Sequence, residues 1–141
     1  MELNESIYAY LTSITDITNL ISTRLYPDKI KQKSSYTLPY TTYRMISEFE
    51  VDTIIEQTNM LIASTYEFET WASTRASAKA VVKQIRKAFK GFSGVMGGVG
   101  GVNISAIEKI NAFSDTEEQT DGTHVAYRES VEFQIWHYET D

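Results

Sequence analysis

The chain contains no cysteine. Its absence removes a disulfide framework, thiol catalysis and cysteine-ligated zinc or iron–sulfur centres, and leaves the redox compartment open. Histidine is nearly as scarce. His124 and His137 are the only two, placed toward opposite ends of one expected strand. At a rise of ~3.3 Å per residue they cannot share a metal ion within one subunit. No apolar run approaches the ~20 residues needed to cross a bilayer. The opening MELNESIYAY also lacks the basic stretch and apolar run of a signal peptide. Cations are in deficit: 13 Lys and Arg against 19 Asp and Glu give a net charge of −6, the wrong sign for a general nucleic-acid binder. What is present is ordinary for a globular protein, with 42% hydrophobic and 23% charged residues, against wholesale disorder. A chain of 141 residues has the length for one core, so residues 1–141 are expected to form one soluble, acidic, non-secreted domain.

Periodicity divides that domain. Leu3, Ile7, Leu11 and Ile14 fall on one helical face, predicting a helix from about Glu2 to Ile14. Thr15 and Asp16 read as a stop and a new N-cap, with a shorter helix to about Ser22. Pro27 and Pro39, the only prolines, push Tyr26 and Leu38 out of helix, and KIKQKSS between them reads as a polar basic loop. Tyr40 to Glu50 and Leu61 to Ala72 read as strands, with Val51 to Met60 a long hairpin excursion. In the second strand Ile62, Tyr66 and Phe68 share one face, and Glu67, Glu69 and Trp71 the other.

Thr74 to Lys90 gives the clearest pattern. Ala78, Val81, Val82, Ile85 and Phe89 form an apolar helical stripe, while Arg75, Lys79, Lys83, Arg86, Lys87 and Lys90 cover the remainder without one acidic residue. Thr74 suits an N-cap and Gly91 the residue just past the end. Six glycines from Gly91 to Gly101 mark a turn region. Val102 to Phe113 is extended, Ser114 to Gly122 reads as an acidic loop, and Val125 to Tyr138 as a long final strand. Long strands with short links, and an amphipathic helix to cover them, predict an α+β fold with a mostly antiparallel sheet, an N-terminal helix and one central amphipathic helix.

Few chemical signatures survive inspection. GFSGVMGGVGG lacks the Lys-Ser/Thr ending of a phosphate loop. It follows a helix where a phosphate site precedes one. Asp115, Glu117, Glu118 and Asp121 lack calcium-loop spacing, and Ala126 stands where a closing Glu would fall. Glu67 and Glu69 share a strand face, as an acid–base pair would, but read as an exposed face. No catalytic, cofactor or metal site is expected. The cationic helix remains: either a solvated face, or one that meets an acidic protein neighbour or nucleic acid.

Arg24-Leu25-Tyr26-Pro27, then Leu38-Pro39-Tyr40 and Tyr43, resemble the opening of the small tail-completion proteins of long-tailed bacteriophages, the tail terminators and tail-to-head joining proteins. The resemblance continues through Glu69-Thr70-Trp71-Ala72, the helix ending near Phe89, the glycine turn and Val131-Glu132-Phe133-Gln134-Ile135-Trp136, and so spans nearly the whole chain. The glycine run from Gly94 to Gly101 is longer than the family pattern. The resemblance implies a virion protein, assembled in the bacterial cytoplasm, that forms a homohexameric ring. Such a ring caps the tail tube, stops its polymerisation and docks on the head connector, with no catalysis and no cofactor.

A ring needs two unlike surfaces that meet head to tail. The basic helix face, set against acidic strands, supplies such a pair. If DNA slides through the ring, an acidic lining would repel its phosphates, which lie one per ~1.7 Å of axis. Glu67, Glu69 and Glu132 are the candidates for that lining. The alternatives are another neck component, such as a head-completion or stopper protein, and a small nucleic-acid-binding module using the basic helix, whose DNA binding would be strongly salt-sensitive.

Overall fold

The computed structural model describes residues 2–28, 37–51, 59–118 and 125–140. The chain runs α1 (Leu3–Thr12), α2 (Thr15–Ile21), β1 (Leu25–Pro27), β2 (Tyr40–Glu50), β3 (Asn59–Ala72), α3 (Arg75–Phe89), β4 (Gly94–Met96), β5 (Val102–Glu118) and β6 (Val125–Thr140). The strands form one six-stranded sheet in the order β1-β2-β3-β6-β5-β4. Every pairing is antiparallel except β1 with β2. This is the expected α+β architecture.

The helices begin and end as local chemistry dictates, with one exception. A capping box between Glu2 and Glu5 opens α1, satisfying amide groups that the first turn leaves free. Thr74 Oγ1 accepts from the Ser77 amide at 3.1 Å to open α3, and Gly91 follows its end with φ of +70°, a conformation glycine adopts without Cβ strain. The expected N-cap role of Thr15 and Asp16 is corrected. Both lie inside α2, whose cap is Ile14 with no side-chain bond, and the Asp16 carboxylate instead favours the positive end of the helix dipole from the first turn.

All three helices feed one core. Ile7, Leu11, Ile17 and Ile21, with Val81, Val82, Ile85 and Phe89 of α3, join the same cluster as Tyr43, Tyr66, Phe68, Val131, Phe133 and Ile135. Phe89 is its centre, edge-on to Phe133 at 5.0 Å and to Phe68 at 5.5 Å between ring centroids. The first turns of α1 lie across one end of the sheet. The Asn4 carbonyl accepts from Tyr43 Oη at 3.0 Å, its side chain accepts from Tyr66 Oη, and Ser6 Oγ accepts from the Val102 amide at 3.0 Å. Burial raises both phenols, Tyr43 to about 12, so they remain donors at any physiological pH.

Two boundaries differ from the sequence reading. Ser114 to Glu118 is strand and not acidic loop, continuing β5 in register with β6 from Ser114↔Glu129 to Glu118↔Val125. Its polarity misleads because its partners are polar too: Ser114 Oγ donates to Glu129 at 2.6 Å, and Asp115 accepts from Arg128 at 2.7 Å. The glycine region holds a short strand, β4, paired with Val102–Ile104, so it is a hairpin. The expected excursion after Val51 and the loop KIKQKSS fall mainly outside the described residues, as do Asp121 and His124.

Candidate functional site

Because the helices share one core, the sheet has a helix side and a bare side among the described residues. The pleat and the strand registers assign each residue to one of them. Glu67, Glu69 and Glu132 fall together on the bare side, Glu67 directly across from Glu132 on the neighbouring strand. Their settings differ. Glu67 is only 7% exposed and accepts from Arg44 Nε at 3.3 Å and Nη2 at 3.2 Å. The expectation that it lies on an exposed strand face is therefore corrected: flanking strands and the Arg44 guanidinium cover it. Glu69 lies 3.8 Å from Arg128 Nη1. Burial, then a hydrogen bond with Glu67 and that neighbour's charge, raise its pKa, while Arg128 and Arg44 pull the other way. Arg128 also binds Asp115 and lies over the Trp71 ring at 5.3 Å. The registers put Glu108 and Asp115 on the same side. Five carboxylates (Glu67, Glu69, Glu108, Asp115, Glu132) thus share the bare side with two guanidiniums, Arg44 and Arg128.

The opposite charge lies on the helix side. Lys79, Lys83, Arg86 and Lys87 of α3, with Lys90 just past its end, are exposed and line a groove of about 870 Å³ between α3 and β5, floored by Ile107, Lys109 and Phe133. Arg75, the sixth cation of the sequence pattern, is set apart from them. It donates to Glu129 Oε1 at 3.0 Å and to the Arg128 carbonyl at 3.2 Å, and stacks over Tyr127 at 5.1 Å. Its work is to pin the first turn of α3 to β6.

What the sequence pattern does not reveal is that Glu129 and His137 are buried. Both occupy inward positions of β6 within the alternation that carries Val131, Phe133 and Ile135, where the period alone calls for apolar residues. Glu129 is held by Arg75 and Ser114. His137 is bonded through Nε2 to Ser64 Oγ at 2.8 Å, and burial lowers its pKa. Among the described residues, no group of three or more His, Cys, Asp or Glu is placed to hold a metal ion, and no helix is long and apolar enough to cross a membrane.

Among the described residues, the sheet also has two open edges. β1 pairs only with Thr41–Tyr43 of β2, and β4 only with Val102–Ile104 of β5. Among the described residues, Arg44–Glu50 on one edge and residues 105–118 on the other have no further strand beside them. Large apolar side chains are exposed on both, Met45, Ile46 and Phe49 on the first and Ile110 and Phe113 on the second.

No family model and no curated protein matches the chain. A solved structure does: a chain of the virion of a native gene transfer agent particle, with a TM-score of 0.65 over 94% of this chain and 92% of that one. This chain shares its fold with a virion protein. Sequence identity is 15%, so the likeness carries the architecture from end to end and assigns no role to individual residues.

Proposed function

We propose that this chain is a structural subunit of a phage-like virion, and within it the tail terminator: a homohexameric ring that caps the tail tube, ends its polymerisation and joins the tail to the head connector. The observation that carries this reading is the near-complete coverage, in both directions, of the fold shared with a gene transfer agent virion chain. The order of Arg24-Leu25-Tyr26-Pro27, Leu38-Pro39-Tyr40 and Val131 to Trp136, which resembles the tail-completion family, supports the finer assignment. Assembly takes place in the bacterial cytoplasm, and the role is architectural, with no cofactor.

Charge segregation supports the orientation of the subunit in such a ring. The bare side, with Glu67, Glu69 and Glu132 at its centre, faces the lumen, where carboxylates keep duplex phosphates from sticking as the genome passes. The α3 cations then lie away from the channel. A ring map with Lys79, Lys83 and Lys87 around the bore and the three glutamates outside would contradict this orientation.

Co-assembly decides between the neck roles. Purified protein should bind the ends of tail tubes; binding to portal-bearing heads alone would instead make it a head-completion or stopper protein. Tight, strongly salt-sensitive DNA binding by the free chain would favour a nucleic-acid module, which the net charge of −6 opposes.

A further inference from the structure

We infer that copies of this chain join edge to edge, with the open half of β2 in one copy adding to the open half of β5 in the next, locked by Glu48 and Glu50 against the cations over β5. Open strand edges offer unpaired amides and carbonyls that another strand can take up. The two edges of this sheet match in three independent respects.

Direction is the first. From β2 through β3 and β6 to β5 every step is antiparallel, so β2 and β5 themselves run in opposite senses. A rotation that brings the β2 of a second copy beside β5 makes an antiparallel pair, and the alternation continues across the seam. The helix sides of the two sheets then face the same way.

Level is the second. Following the registers across the sheet, Arg44 lies opposite Glu67, Glu132 and Asn111, and Glu50 opposite Ile62, His137 and Ile104. The open stretch of β2 therefore stands level with residues 104–111 of β5, almost all of it open edge.

Charge is the third. Glu48 and Glu50 pair with Ser64 and Ile62, which point to the helix side, and both glutamates are exposed. Lys109 pairs with Phe133 and points to the same side, under Lys83, Lys87 and Lys90 of the groove. Seating the neighbour's β2 brings two carboxylates beneath the cationic face of α3. The exposed Met45 stands level with Lys109, and Ile46 beside it, so both come next to the exposed Ile110. The contact is heterologous, one surface against a different one, which propagates until a rotation closes it. This interface rests on the ring reading above only for that closure and for the number of copies.

The test uses two charge-reversal variants of the whole chain, Glu48→Lys/Glu50→Lys and Lys87→Glu/Lys109→Glu, all at exposed positions. Oligomeric state is read by native mass spectrometry, free and on tail tubes. Each variant alone should weaken or lose the ring, because Glu48→Lys/Glu50→Lys sets lysines against the α3 cations and Lys87→Glu/Lys109→Glu sets new carboxylates against Glu48 and Glu50. An equimolar mixture should regain it, because every seam then joins opposite charges. A ring that survives both reversals, or a mixture that stays monomeric where the wild type assembles, overturns the edge pairing and leaves the ring reading standing. A wild type that never self-associates, free or on tubes, overturns both.

Discussion

Phe89 shows how one residue carries the packing of an element. Its ring is fully buried between Phe68 and Phe133 and stacks on Tyr10 at 6.2 Å, so α3, α1 and the sheet all meet there. Phe89→Ala should cost about 3–5 kcal/mol in denaturant unfolding, the range for emptying a buried aromatic site. An unchanged transition would mean that the packing face of α3 is wrong. Glu69 makes the opposite kind of residue-scale prediction. Its folded pKa is raised, so the stability it contributes is complete below the unfolded carboxylate pKa and is lost as pH rises through the folded value. Glu69→Gln should raise the melting temperature of the isolated subunit at pH 7 and leave it nearly unchanged at pH 4; equal shifts at both would contradict the assignment. The apolar stripe of α3 was legible because five residues repeat one helical period. Glu129 and His137 were not, since a polar group inside an apolar alternation is intelligible only once Arg75, Ser114 and Ser64 are seen beside it.

At the scale of elements, helices and strands announced themselves where burial is one-sided and failed to do so where partners are polar. α3, β3 and β6 each present one repeating apolar face to the core, and their bounds follow the pattern within a few residues, whereas β2 gives the core only Tyr43. The end of β5 has no such face: Ser114, Asp115 and Thr116 are exposed and held by cross-strand polar pairs, which a local reading cannot distinguish from loop. β4 was hidden by glycine for a related reason. Gly97, just beyond it, has φ of +87°, and a Cβ there would come within 3.1 Å of the Ser6 backbone. Both the conformation and the close approach require glycine. Gly97→Ala should therefore destabilise the fold by roughly 1–2 kcal/mol or more, the order of the left-handed penalty alone. Amide exchange should quicken in β4 and α1 before it does in β3 and β6. Uniform loosening across all strands would contradict a local wedge between the β4 hairpin and α1.

At the scale of the molecule, function follows from asymmetry. Among the described residues, the sheet has a carboxylate-rich side without helices, a helix side whose exposed groove is cationic, and two open edges, one carrying Glu48 and Glu50 and the other lying beside the α3 cations. The segregation of cations onto α3 was readable from composition along the chain. Their spatial opposition to Glu67, Glu69 and Glu132 needed the strand registers, and the open edges needed the sheet order, which no local pattern encodes. In the proposed ring, replacing Glu67, Glu69 and Glu132 by Gln should slow DNA release from otherwise normal particles, most strongly at low ionic strength where phosphates are least screened. Release kinetics indifferent to both the substitutions and salt would place these residues outside the bore. The central claim is tested most directly by electron microscopy of tail tubes polymerised from their tube protein with and without this chain. Ring density should appear at one end of each tube and elongation should stop once the chain is supplied; tubes that keep growing with bare ends would contradict the terminator role.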